Sequence, residues 1–235
     1  MWSTVRSVLA FGRYNATQVF AGKFIYFLLL ALLVFCTVVV VQTAQEEVPP
    51  NAAAIYYYLL VPAVMLVFYP AAYCIQGDVD ARMLETLFGI PDYRYKVWLV
   101  RLVVQQLVVA VLVLGLAALC QAALADFSIG LMVFHVMFPI LFLGSLGFMA
   151  ATLTRNGNGA AAILLIVGLF CWMMAPELLQ GSRWNLYLNP FQRFEGYEAL
   201  DHQTDVFYNR VGLLVGSGLA ALTGLLRLQK RESFV

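Results

Sequence analysis

The chain has 235 residues, of which 63% are hydrophobic and only 11% charged, and its mean hydropathy is +0.84. Ordinary soluble domains are about 45–50% apolar and about 25% charged, so a soluble fold of this length is excluded and lipid must solvate much of the surface. The net charge of +1 says nothing by itself about partners, and no nucleic-acid partner is expected; the distribution of charge carries the information.

Residues 1–20 place Trp2, Val5, Val8 and Leu9 on one helical face, with Ser3, Arg6, Ser7 and Arg13 interspersed. That pattern predicts a helix lying at the membrane interface. No cleavable signal peptide is expected, because Arg6 and Arg13 interrupt this stretch before any long apolar core begins. Insertion is then expected to proceed through the first span.

Six runs have the composition and the approximate length that a bilayer demands of a helix: about 22–41, 53–75, 97–120, 127–153, 159–178 and 211–226. They must be helices, because an open sheet cannot satisfy its edges in lipid and barrel strands do not give continuous apolar runs of this length. The expected fold class is therefore all-α: a polytopic integral membrane protein with six transmembrane helices in a single domain spanning 1–235. Pro62 and Pro70 are expected to kink the second span, and Pro139 to tilt or break the fourth. Arg101, near the start of the third, is expected to snorkel to the interface. Arg210 and Arg227 flank the short sixth span as anchors.

Orientation follows from the basic residues of the connecting segments. With the N-terminus in the cytoplasm, eleven of the 14 Lys and Arg residues fall inside. They are Arg6, Arg13, Lys23, Arg82, Arg94, Lys96, Arg101, Arg155, Arg227, Lys230 and Arg231. Only Arg183, Arg193 and the boundary residue Arg210 fall outside, and the first external loop carries Glu46 and Glu47 with no basic residue. Both termini are expected in the cytoplasm. The external segment 180–209 mixes seven Trp, Tyr and Phe residues with charges. A re-entrant or surface-lying helical structure fits it better than an irregular loop.

The four cysteines, Cys36, Cys74, Cys120 and Cys171, lie in or beside apolar runs, without CxxC spacing, and read as small packing residues. His135 and His202 are far apart, and nothing has metal-site spacing. No nucleophile–base pair, GxSxG elbow or HExxH motif is present, so catalysis by this chain is not expected.

Residues 78–89 are expected to form a short amphipathic helix on the cytoplasmic side. Asp78 or Asp80 can cap its start, Met83, Leu84, Leu87 and Phe88 form one apolar face, and Gly89 and Pro91 end it. Read from the residues alone, this is a surface-lying connector with an apolar ridge. The stretch Glu85-Thr-Leu-Phe-Gly-Ile-Pro91, followed by Arg94 and Lys96, also resembles the segment between the second and third spans of permease subunits of type 2 ABC exporters. The resemblance extends over the chain: an interfacial N-terminal helix, six spans, Asn189-Pro190-Phe191 before the last span, and a Lys230-Arg-Glu232 tail similar to that of bacterial members. The Asp78/Asp80 start departs from the more usual Glu-Arg type.

The resemblance implies that 78–89 is a coupling helix docking on a separate ATP-binding subunit. Asp80, Arg82, Glu85, Leu87 and Phe88 would then make the contact, as an apolar anchor with a charged rim. It further implies a second copy of the chain or a homologous permease, and a bacterial cytoplasmic membrane as the location. Surrounding lipid is the remaining partner. Cofactors are expected on the partner only, as ATP and magnesium, since no GxxxxGK[ST] sequence occurs here. Family substrates include lipids, glycans, drugs and ions, and the sequence does not choose among them. The alternative is a non-transporting scaffold or assembly subunit that docks a cytoplasmic protein through the same helix.

Three polar residues within spans stand out, because polar groups in lipid are costly: Gln105, Gln106 and His135. They either line a pathway or bond a neighbouring helix. In the sixth span Gly212, Gly216, Ala220 and Gly224 form a small-residue stripe that permits close helix approach. A subunit interface and packing within one subunit are equally compatible with it.

Overall fold

The structure, a computed structural model, describes residues 23–45, 49–76, 94–177, 182–194 and 196–228. The expected interfacial helix over 1–20 lies outside the described residues. So do the expected helix over 78–89, with Asp80, Arg82, Glu85, Leu87 and Phe88, and the basic tail from 229 onward.

Six helices are long and apolar enough to cross a membrane, and no strand occurs among the described residues. In chain order they are α1 (Phe24–Gln45), α2 (Ala52–Ala72), α3 (Val100–Ala123), α4 (Ile129–Thr154), α5 (Gly157–Glu177) and α6 (Tyr197–Arg227). The chain is therefore an all-α, multi-pass membrane protein. A six-residue π-helical stretch, Arg94–Leu99, leads into α3.

Local signals set the boundaries. Asn51 caps α2 by accepting from the Ala54 amide at 2.8 Å. Arg155 ends α4 in the left-handed region (φ 55°), its amide bonded to the Ala151 carbonyl at 2.9 Å. Gly157 then opens α5 directly against Tyr73, whose ring leaves no room for a Cβ there. Gly196, at φ 63°, turns the chain into α6, a backbone conformation suited to glycine.

The fourth span is not broken at Pro139, and the last helix starts earlier than expected. α2 runs unbroken through Pro62 and Pro70, and α4 through Pro139, with all three prolines buried. Neighbouring helices pack around them, which is how membrane helices tolerate proline. The last helix begins at Tyr197 rather than near 211. Its 31 residues span about 46 Å at 1.5 Å per residue, more than the roughly 30 Å hydrocarbon core, so its first turns stand outside lipid.

α4 is the centre of the bundle and packs against α2, α3, α5 and α6, while α1 rests mainly on α2. The core runs along α2 through Leu59, Leu60, Ala63, Leu66, Val67 and Ala71, and meets Met132, Val136 and Ile140 of α4. α1 and α5 are the least buried spans. Their outward Leu, Ile and Phe side chains fit a hydrocarbon environment. One end of the bundle gathers Lys23, residues 73–76, Arg101, Arg155 and Arg227; the opposite end gathers the segment 182–194 and the start of α6.

Candidate functional site

At the basic end, the chain leaving α2 is held from three sides. Arg101 of α3 donates from Nη1 to the Cys74 carbonyl at 3.0 Å. The Gly157 amide donates to Gln76 Oε1 at 3.0 Å, and the Tyr73 hydroxyl donates to Asn158 Oδ1 at 2.7 Å. One turn earlier, the Tyr69 hydroxyl accepts from the Lys23 amide at 3.3 Å and its ring stacks on Phe27. Ile75 is fully buried between these contacts. The end of α2 is thus joined to α1, to α3 and to the α4–α5 turn, immediately before residue 77.

Arg101 does not snorkel as its place near the span's start suggests. Only 6% exposed, it lies over the Trp98 ring, 4.9 Å from the centroid. Its acceptor belongs to the carbonyl-rich end of α2, where the helix dipole favours a cation. The charge is therefore stabilised inside the protein rather than at the headgroups.

Farther into the bilayer on the same helix, Gln105 and Gln106 are 1% and 8% exposed. Gln105 Nε2 and both amide atoms of Gln106 have no hydrogen-bond partner among the described residues. The Gln106 amide rests directly on Gly144 of α4, where a Cβ would collide with it, with Val67 of α2 alongside. Gly144 is therefore the recess that admits the amide. Unpaired amides in an apolar interior are costly, so these two side chains oppose stability in their present positions.

The opposite end carries the second polar constellation. Segment 182–194 folds back on the bundle and buries Leu186, Tyr187 and Leu188. Asn189 Nδ2 donates to the Ala53 carbonyl at 2.8 Å, and its Oδ1 accepts from the Phe191 amide at 3.0 Å. Asn209 of α6 donates to the carbonyls of Arg183 and Asn185 at 2.9 and 2.8 Å. The Tyr187 hydroxyl reaches the Gly168 carbonyl of α5 at 3.4 Å. Burial pushes that phenol above its ordinary range, which keeps it protonated and donating.

Arg210 is the hub of this end. It is 6% exposed and donates to Leu188 O at 2.9 Å, Asn209 Oδ1 at 2.8 Å and His135 Nδ1 at 3.5 Å. Since His135 Nδ1 accepts, its ring proton sits on Nε2. The expected polar role of His135 thus takes the form of an interhelical bond, to a residue that reads from sequence as an anchor flanking the last span. Arg210 stays near the end of the span, but it points into the protein.

The small-residue stripe divides. Cβ atoms on Gly216 and Gly224 would press on the rings of Phe142 (3.0 Å) and Phe148 (2.6 Å) of α4, and Ala220 is buried. Gly212 has nothing within 4 Å. Three of the four positions therefore serve close approach within this chain.

Sequence reasoning did not single out Asn185, Asn209, Tyr56 or the burial of Arg210. The available signal was the Asn209-Arg210 pair at the edge of an unusually short span. No protein family, curated protein or solved structure matches this chain.

Proposed function

We propose that this chain is the membrane subunit of an ATP-driven exporter of the type 2 ABC class, working with a separate ATPase subunit and a second six-span subunit. The N-terminus, residues 77–93 and the C-terminus lie on the cytoplasmic side in this reading, which the bias of basic residues supports. The observation that carries it is the clamp on residues 73–76. The Arg101–Cys74 bond joins the two spans that flank 77–93, and the contacts of Gln76 and Tyr73 extend that junction to the α4–α5 turn. A push delivered to 77–93 by an ATPase would reach α2, α3 and the start of α5 together rather than being lost in a loose connector. The π-helical entry to α3 adds support, since π turns are frequent at functional sites.

Leu87 and Phe88 provide the apolar anchor of the docking contact, and Asp80, Arg82 and Glu85 its charged rim. Co-expression with the ATPase partner, followed by cross-linking from a cysteine at position 85 or 88, tests the contact. Leu87→Asp with Phe88→Asp is expected to abolish ATP-dependent export while leaving the chain in the membrane. Export that survives this double change, with no ATPase copurifying, would return the chain to the scaffold class.

A further inference from the structure

We propose that Arg210 and Tyr56 form a recognition site for an anionic oxygen group, a phosphate or carboxylate carried by an amphiphile, at the end of the bundle opposite residues 77–93. The first observation is an uncompensated charge. All three acceptors of the buried Arg210 guanidinium are neutral: a backbone carbonyl, an amide oxygen and an imidazole nitrogen. Among the described residues no carboxylate reaches it. Asp205, on the same helix, engages the exposed Arg183 at 3.6 Å instead. A guanidinium carries five N–H donors, more than these three bonds use.

The second observation is independent. The Tyr56 hydroxyl is 0% exposed and its proton has no acceptor among the described residues. It lies within hydrogen-bonding and electrostatic reach of Arg210, which can only donate to its oxygen. A cation and a spare hydroxyl donor converging from α2 and α6 are what an anionic oxygen requires. The walls are aromatic: Phe138 lies under the guanidinium at 5.6 Å, and the Phe191 ring is 6.1 Å from that of Tyr56. A few convergent polar groups in an apolar setting are the usual form of a small-molecule site.

Depth fits the same ligand. Arg210 and Arg227 lie on one helix, roughly 26 Å apart along its axis at 1.5 Å per residue. Arg210 therefore sits near the level where headgroup phosphates begin if Arg227 marks the other face. An incoming anionic oxygen would compete with the Leu188 carbonyl for Nη2, and so would loosen segment 182–194 from α6. Binding itself does not depend on the exporter reading; the further statement that the anion is cargo rests on it.

The test is a thermal-shift titration of the full chain in phosphatidylcholine nanodiscs, with hexyl phosphate and hexylammonium as paired probes. A parallel set of discs contains phosphatidylglycerol. Hexyl phosphate is expected to raise the unfolding temperature saturably and hexylammonium is not. A response to phosphatidylglycerol alone assigns the site to lipid, and a response to hexyl phosphate assigns it to a solute; both support the proposal. Arg210→Gln is expected to abolish the response, whereas Arg183→Gln, at the exposed arginine of the same end, is expected to leave it unchanged. Because Arg210→Gln also loosens the fold, Tyr56→Phe is the decisive variant, since it removes the hydroxyl donor while leaving the three Arg210 bonds to Leu188, Asn209 and His135 in place. It is expected to raise the half-saturating concentration at least about tenfold. No response to either anion, equal loss in Arg183→Gln, or unchanged affinity in Tyr56→Phe overturns the site. Anion binding without ATP-dependent export would instead count against the exporter reading alone.

Discussion

Arg101 donates from Nη1 to the Cys74 carbonyl across 3.0 Å, and this bond joins two spans that the sequence separates by residues 77–93. A buried cation needs such an acceptor, and the end of α2 supplies one with the favourable sign of the helix dipole. Replacing Arg101 with Met keeps the apolar stem and removes the clasp. The expected cost is about 1.5–3 kcal/mol, the range for a hydrogen bond to a charged group, read by chemical unfolding in detergent. Arg101→Lys retains the charge without the planar fork and should recover only part of it. In the proposed exporter, export by Arg101→Met should fall further than the amount of folded protein does. A parallel fall of both would make the clasp purely structural.

Gln106 and Gly144 form a second pair whose energetics can be separated. Gly144→Ala places a methyl where the Gln106 amide lies, and overpacking of this kind costs about 1–3 kcal/mol. Adding Gln106→Ala should return much of the loss, because the two changes share one contact. A double-mutant cycle on unfolding free energy measures this coupling. A value near zero would show that the amide finds another position without cost.

The unpaired amides give a prediction with opposite signs for stability and function. Gln105→Met and Gln106→Met remove polar atoms that lack partners and should stabilise the fold by about 1–2 kcal/mol each. If the amides serve a pathway, the same variants lose transport activity, the trade-off expected where a site is kept at the expense of stability. A stabilised variant with full export would assign both side chains to packing alone.

The six spans were legible because lipid forces long apolar runs, and the basic bias because Lys and Arg concentrate in the connecting segments of one end. The inward direction of Arg101 and Arg210 was not. A basic residue at the edge of an apolar run has the same sequence pattern whether it meets headgroups or protein. For Arg210 the difference lies in the Leu188 carbonyl and the Asn209 side chain, which only the fold brings to it. The start of α6 was missed for a related reason: residues 197–209 are too polar to count as a span, yet they continue the same helix beyond the hydrocarbon core. The small-residue stripe could be read as a close-packing surface, but the rings of Phe142 and Phe148 that fill it belong to another helix.

That stripe yields a graded prediction. Gly224→Ala presses a Cβ against Phe148 at 2.6 Å and should destabilise by about 1–3 kcal/mol. Gly216→Ala meets Phe142 at 3.0 Å, which a small ring shift can relieve, so its effect should be smaller. Gly212→Ala meets nothing within 4 Å and should be neutral or stabilising by up to about 1 kcal/mol through helix propensity. Unfolding measurements on the three variants should preserve this order. A large loss in Gly212→Ala, accompanied by a change in oligomeric state, would instead place that position at an interface between subunits.

Asn209 fastens segment 182–194 to α6 through two backbone carbonyls and also accepts from Arg210. Asn209→Leu removes all three bonds while keeping a similar volume, and should cost about 2–4 kcal/mol locally. The arginines at 183 and 193 lie within the segment itself, so trypsin reports directly on whether it stays docked. Cleavage after either arginine should accelerate in Asn209→Leu, because local opening exposes the backbone long before the bundle unfolds. Asp205→Asn is the contrasting variant. It breaks only the exposed Arg183–Asp205 pair at 3.6 Å, a kind of contact that contributes roughly 0–1 kcal/mol, and should leave the cleavage rate nearly unchanged. Equal acceleration in the two variants would mean that the surface ion pair, rather than the buried asparagine, holds the segment in place.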